Sequence, residues 1–354
     1  MSSRKNIAVA GLMSAAMMTM LAGCGLSATQ AKSSPVPSIS HQPKIQTVTV
    51  KKTPRHVPTY AMELVQSHLS ASQVSDVNLK KDIYYTNRVV VISFHDMSLH
   101  LNSKFNMSPT IFAQDLQSLH QYHFNAITNQ QFVGWMQHRN TIPANAVLLT
   151  FDDGYKSMYT HALPILLRNH MTGTFFIITH GQDAGPTGFM TWPEVQAMAK
   201  AGMAIESHTY NLHYLVDVHG HLTAAFNTAY YQGKWQTPTQ YFERDYHDFL
   251  TARLQIEQHL GHPVNEIAWP YGYGNLVAYD AARAAGYSYF FTTASGYNTA
   301  KTSSWYIRRV DVGLYPNPQE VINKILTTAG SPAELVPQVS QAPQKSNPVN
   351  VHST

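Results

Sequence analysis

The chain has 354 residues with 24 basic and 20 acidic side chains, and its formal charge of +4 falls to +2 if Arg4 and Lys5 leave with a leader. That balance excludes an electrostatic case for nucleic-acid binding. Charged residues make up 12% of the chain, about half the usual share, which suits a neutral partner, and the single cysteine, Cys24, excludes disulfides as a source of stability.

Arg4 and Lys5 precede an uncharged stretch from Ile7 to Leu21 that is too short to span a bilayer comfortably. Ending in Leu21-Ala22-Gly23-Cys24, it reads as a lipoprotein signal peptide over residues 1–23 with Cys24 as the lipidated residue. The expected location is extracytoplasmic, on a bacterial surface, with the membrane as a partner through that anchor. Residues 24–59, rich in Ser, Pro, Gln and Lys, read as a flexible tether. Residues 60–87 read as a helical lead-in, because Met62, Val65 and Leu69 recur at near-helical spacing.

From residue 88 strands and helices alternate. A strand from Val89 to Phe94 precedes a helix opened by Ser108-Pro109, with Phe112, Leu116 and Leu119 on one face. The strand Ala146 to Phe151 is followed by a helix from Met158 to Leu167, a strand from Gly173 to Thr179, and a helix that Thr191 and Glu194 open as a capping box. A strand from Gly202 to Ser207 comes next. Asn227 to Tyr241, with Tyr230, Tyr231, Trp235 and Tyr241, reads as a rim loop whose aromatics suit stacking on sugar rings. Phe249 to Leu260 reads as a helix, Ile267 to Tyr271 as a strand end, and Ala278 to Ala285 as a helix stopped by Gly286. Strands from Tyr287 to Thr292 and from Tyr306 to Val312 complete the core. Roughly seven such units indicate an α/β fold, an incomplete (β/α)7 parallel barrel over residues 88–330. Residues 331–354 read as a disordered tail.

The chemistry gathers where strands end. Asp152 and Asp153 close a buried strand, and Gly154 lets the backbone turn so that the two carboxylates need not diverge. One can hold metal while the other serves as a base. His208 and His213 are five apart, which on a helix would splay them by roughly 140°, so a strand end and a loop must bring them together. Two imidazoles and one carboxylate with an open position form the ligand set of catalytic zinc.

Thr150-Phe151-Asp152-Asp153-Gly154-Tyr155, Ser207-His208-Thr209-Tyr210-Asn211-Leu212-His213 and Ala268-Trp269-Pro270-Tyr271-Gly272 resemble the three main motifs of the polysaccharide deacetylases, carbohydrate esterase family 4 with a NodB-type domain. The resemblance runs from about Arg88 to Leu326. The five-residue histidine spacing, and Trp269 where most of the family has arginine, resemble the branch that de-N-acetylates poly-β-1,6-N-acetylglucosamine. The resemblance implies Asp152 as general base, Asp153, His208 and His213 as ligands of a divalent metal, most simply Zn2+, and the Tyr271 backbone N–H as oxyanion donor. It also implies that Trp269, Pro270 and Tyr271 line the substrate pocket, Trp269 either walling it or filling the space of the absent arginine.

Three departures stand out. In Val91-Ile92-Ser93-Phe94-His95-Asp96, Phe94 replaces a tyrosine of the family's first strand, so the phenolic hydroxyl is missing. The closing segment that usually carries an acid histidine is Val321-Ile322-Asn323-Lys324-Ile325-Leu326, so the general acid has no assignment. Asp152 lacks its usual cationic neighbour, which Arg244 or Arg309 could replace if the fold brings either near. The implied function is metal-dependent hydrolysis of N-acetyl groups from an extracellular N-acetylglucosamine polymer. Peptidoglycan as substrate, and a glycan-binding lipoprotein without turnover, are the alternatives.

Overall fold

Strands buried along their whole length need a covering layer on each face. β1 (Val89–Phe94) and β2 (Ala146–Asp153) meet that condition at every position. The structure, a computed structural model, describes residues 77–330 apart from 100–102, 104, 185–187 and 313–316. The expected signal peptide, Cys24, the tether, most of the lead-in and the tail lie outside the described residues. β1 and β2 pair in parallel from Val89 against Ala146 to Phe94 against Phe151. β3 (Thr174–Ile178), β4 (Ala204–Thr209), β5 (Glu266–Ala268) and β6 (Tyr289–Phe291) extend the sheet beyond β2, and β7 (Val310–Asp311) pairs with the other side of β1. Ile307 makes a parallel bridge to Phe291 just before Val310 pairs with Ile92. One segment therefore reaches both ends of the sheet, and the seven parallel strands curl into the expected incomplete barrel.

Alternation sorts the side chains. Val89, Val91, Ala146, Leu148, Phe176, Ala268 and Phe291 form an inner core, which α2 (Asn129–Met136) plugs with Phe132 and Trp135. Val90, Ile92, Phe94, Val147, Leu149, Phe151 and Ile205 face the outer layer of helices. That layer comprises α1 (Pro109–Gln121), α3 (Leu163–Arg168), α4 (Trp192–Lys200), α5 (Pro238–Leu260), α6 (Leu276–Ala284) and α7 (Pro318–Thr328). By the same period of two, Thr150, Asp152, Glu206 and His208 fall on the inward row. Among the described residues no helix is long and apolar enough to cross a membrane.

The structure corrects the sequence reading in three places. α5 starts at Pro238 rather than Phe249, because Thr237 and Gln240 form a capping box and Pro238 takes the first helical position. Tyr241 is therefore helical, and the rim segment before it contains a short hairpin, Tyr230–Tyr231 against Lys234–Trp235. The helix expected from Met158 is a π-turn, Met158–Ala162, leading into α3, where Pro164 cannot donate a backbone hydrogen bond. Met62, Val65 and Leu69 of the expected lead-in helix lie outside the described residues; from residue 77 the chain has a 3-10 turn, Leu79–Lys81, followed by Tyr84 and Tyr85, whose N–H groups donate to Asn145.

Beneath the inward row two buried carboxyls meet. Glu206 accepts the Glu266 N–H at 3.3 Å, and Glu266 accepts Asn129 Nδ2 of the plug at 2.6 Å. Burial pushes Glu266 from 4.5 up to about 8, against the Asn129 hydrogen bond. Burial and then the charge of Glu266 push Glu206 well above its ordinary value too. An acid raised on folding binds more protons in the folded state, so its stabilisation is complete below the unfolded value and is lost as pH rises towards the folded one. Stability should therefore decline by roughly 1 kcal/mol per pH unit across that window from this group alone. Glu266→Gln should flatten the decline; denaturant titrations at pH 5 and pH 8 that keep the wild-type slope in the variant would locate its source elsewhere.

Candidate active site

The C-terminal edge of a parallel barrel leaves strand-end side chains converging, and here four of them do. Asp152 continues the inward row of β2. Asp153 has φ 81° and Gly154 φ 84°, so the chain turns one residue earlier than Gly154 alone would require. A left-handed aspartate costs about 1 kcal/mol or more, and the turn aims the two carboxylates at different partners. A side chain at Gly154 would press on Ile177 at 3.1 Å, which keeps that position a glycine.

Asp152 receives Arg309 Nη1 on Oδ1 and Nη2 on Oδ2, both at 2.7 Å, with both side chains almost wholly buried. Burial by itself would raise this carboxyl. The Arg309 charge and hydrogen bonds, aided by His208 and His95, reverse that and hold it well below the usual carboxylate range. Of the two arginines left open by sequence, Arg309 is the partner. Arg244 is engaged by Asp245 at 2.7 Å and by the carbonyls of Ala225 and Thr228.

Asp153 faces the histidines. Its Oδ1 lies 3.5 Å from His208 Nε2 and 3.3 Å from His213 Nε2, and is buried without a hydrogen-bond partner. Burial raises its pKa, opposed by His213 and His95. His208 Nδ1 lies 2.7 Å from the Ala268 carbonyl, which can only accept, so Nδ1 donates and Nε2 is left with its lone pair towards Asp153. Burial lowers His208 to about 3, a neutral imidazole. One ligand atom from each of Asp153, His208 and His213 lies within 4.8 Å of the others. An orphaned carboxylate oxygen facing two imidazole nitrogens fits a divalent cation, the set expected from the sequence. Tyr271, with φ 59°, lays its ring on His213 at 4.9 Å and is 44% exposed.

Residues 139–290 match the family described as polysaccharide deacetylase. Over that stretch the chain is similar to the polysaccharide deacetylases. Over 212 residues it is 30% identical to the poly-β-1,6-N-acetyl-D-glucosamine N-deacetylase of Escherichia coli, a match spanning 52% of this chain but only 30% of that protein. It is 27% identical over 169 residues to the enzyme of the same name from Staphylococcus epidermidis, covering 42% of this chain and 57% of that one. Among solved structures, a de-N-acetylase from Aggregatibacter actinomycetemcomitans superposes with a TM-score of 0.61 at 25% identity, over 67% of this chain and 99% of its own. The BpsB deacetylase domain from Bordetella bronchiseptica gives 0.56 at 26% identity, over 64% and 96%. The family hydrolyses N-acetyl amide bonds and depends on metal.

Within the matched stretch one expected pocket residue is displaced. Trp269 is 1% exposed and enclosed by Phe226, Phe249, Tyr279 and Phe290, so it packs the helix layer and touches no substrate. The parity is the cause: Ala268 takes the inward place and its neighbour must point out. Pro270 is buried too, which leaves Tyr271 as the exposed member of the three. Phe94 points outward against Phe112 and Phe151, so the absent hydroxyl would have lain in the helix layer.

Two residues escaped the sequence reading. His95, one past β1, has a buried Nδ1 without a hydrogen-bond partner among the described residues and lies close enough to act on the charges of both aspartates. Asp248 accepts the Tyr210 N–H on Oδ1 at 3.0 Å and the Asn211 N–H on Oδ2 at 2.7 Å, fixing the loop between His208 and His213. Its signal was an aspartate on the face of α5 that buries Tyr241, Phe249, Ala252 and Ile256. Asp248→Ala should free two backbone donors and weaken zinc binding by roughly 10- to 100-fold, the usual scale for a supporting group. Competition with a chromophoric chelator reads this, and wild-type affinity in the variant would mean that the loop holds its own shape.

Proposed function

We propose that the protein hydrolyses N-acetyl groups on poly-β-1,6-N-acetylglucosamine outside the cell, with zinc held by Asp153, His208 and His213. The observation that carries hydrolysis is the buried Asp152–Arg309 pair beside the Asp/His/His set, since it keeps an anionic base next to a metal site. A site kept only for binding would have no use for that buried charge. Support for the polymer comes from the names of the relatives and from the five-residue histidine spacing.

A bound divalent ion supplies Lewis acidity to the acetamide and to water. Asp152, held ionised by Arg309, accepts the proton of the attacking water. The Tyr271 N–H donates to the oxygen on which negative charge develops. The carbon–nitrogen bond then breaks, and the departing amine needs a proton. We assign its return to His95, whose buried Nδ1 has no hydrogen-bond partner among the described residues and which lies close enough to act on both aspartates. Acetate and a glucosamine unit result, and the new amine lets the polymer adhere to anionic surfaces.

Asp152→Asn should retain zinc and lose activity by roughly 10²-fold or more, whereas Asp153→Asn should lose zinc and recover part of its activity with added metal. Zinc content and acetate release from β-1,6-linked oligomers, with peptidoglycan fragments alongside, measure both. Metal lost from Asp152→Asn and kept by Asp153→Asn would exchange the two roles, and release from peptidoglycan alone would overturn the substrate. Anchoring through Cys24 is part of the same reading. Cys24→Ser should move the protein out of the membrane fraction or leave it unprocessed; a mature, membrane-bound variant would show the thiol to be incidental.

A further inference from the structure

A helix that returns from one parallel strand to the next runs antiparallel to both, so α5, between β4 and β5, begins at the end of the barrel that carries the metal ligands. At that N-terminus the hairpin Tyr230–Tyr231 with Lys234–Trp235 stands over the first turns of α5. Between them lies a cavity of about 600 Å³ whose walls include Tyr231, Gln232, Trp235, Gln236, Gln240 and Arg244. A second cavity, of about 300 Å³, shares Tyr231 and Arg244 and reaches Tyr210, Asn211 and Leu212, the span between His208 and His213. The two form a trough from the hairpin to the flank of the metal loop.

The walls select a chemistry. Trp235 is 61% exposed, with the Tyr230 ring 5.3 Å away at 60°. Three glutamine side chains line the same cavity; Gln236 Oε1 accepts from Arg244 and Gln240 Oε1 from the Thr237 N–H, which turns their amide N–H groups into the donors on offer. Arg244 is not free to seek an anion. It donates to Asp245 through Nε and Nη2, to Gln236 through Nη1, and to the carbonyls of Ala225 and Thr228, and its guanidinium lies 5.1 Å from the Tyr231 ring centre. Lys234 and Glu243 offset each other at the mouth. Aromatic faces with amides and no net charge suit the apolar face and hydroxyl or acetamide groups of a neutral pyranose.

We propose that this cavity is an accessory subsite for neutral N-acetylhexosamine residues of the polymer, units removed from the one being hydrolysed. The inference rests on the polymer deacetylase reading for its biological sense, but the binding event is measurable without turnover. A chain held here and at the metal site gains through effective concentration, so recognition should strengthen with substrate length.

The test uses the zinc-loaded protein with β-1,6-linked N-acetylglucosamine pentamer and dimer. Trp235→Ala should weaken pentamer binding, measured by calorimetry, by roughly tenfold, and lower the ratio of kcat/KM for pentamer over dimer by a similar factor. Trp235→Phe should recover most of both, which a general loss of folding would not allow. Pentamer binding equal to wild type in Trp235→Ala, or a loss that is the same for dimer and pentamer, would overturn the subsite, as would tighter binding of an anionic oligosaccharide of equal length. Wild-type protein that binds pentamer through Trp235 yet releases no acetate would leave the subsite standing and sink the deacetylase reading. Acetate release with indifference to Trp235 would do the reverse.

Discussion

A carboxylate taken out of water stays ionised only when a cation is buried with it, and Arg309 plays that part for Asp152. The pair does more than set a proton affinity. Arg309 sits in the segment that bridges to Phe291 at one end of the sheet and pairs with β1 at the other, so closing the barrel and keeping Asp152 charged are one packing event. Breaking such a pair from either side strands a charge in a low-dielectric interior, typically at a cost of about 3–5 kcal/mol. The catalytic end therefore depends on the last strand as much as on the Asp-Asp-Gly turn that first marks it.

Rigid strands and a supported loop divide the remaining work. Asp152, Asp153 and His208 stand on strand ends whose direction the pleat dictates. His213 arrives on a loop, and a loop reaches a reproducible position only when its backbone groups are satisfied. Asp248 supplies the acceptors from α5, and the stacked Tyr271 ring covers the imidazole from the other motif. α5 also carries Arg244, which gathers the hairpin segment by its carbonyls. One helix thus holds both the His208–His213 loop and the segment beside the trough.

The motif residues were legible because their signals are local. Asp152 and Asp153 follow a run of apolar residues and precede a glycine, and the spacing of His208 and His213 rules out a helix by arithmetic. The parallel α/β architecture was legible from alternating strand and helix patterns, and capping residues such as Ser108 and Thr191 marked helix starts that the structure keeps. Where capping sat among polar residues, as at Thr237, the periodic signal began too late and the start of α5 was misplaced.

What only the tertiary structure decided is which side chains share a face of the barrel and which distant residues meet. Arg309 and Arg244 are equally cationic in sequence; strand register sends one to Asp152, and helix position sends the other to Asp245. Trp269 looked like a pocket wall because it neighbours Tyr271, but adjacent strand residues face opposite layers, and the inward place belongs to Ala268. Asp248 carries no local motif, and His95 lies in one to which sequence reading assigned no role, since what each does comes from contacts with β4, its following loop and the strand ends. Sequence determined the chemistry available at each strand end through short-range pattern; contacts across 37 or 157 positions, as between Asn211 and Asp248 or Asp152 and Arg309, exist only once the sheet has curled.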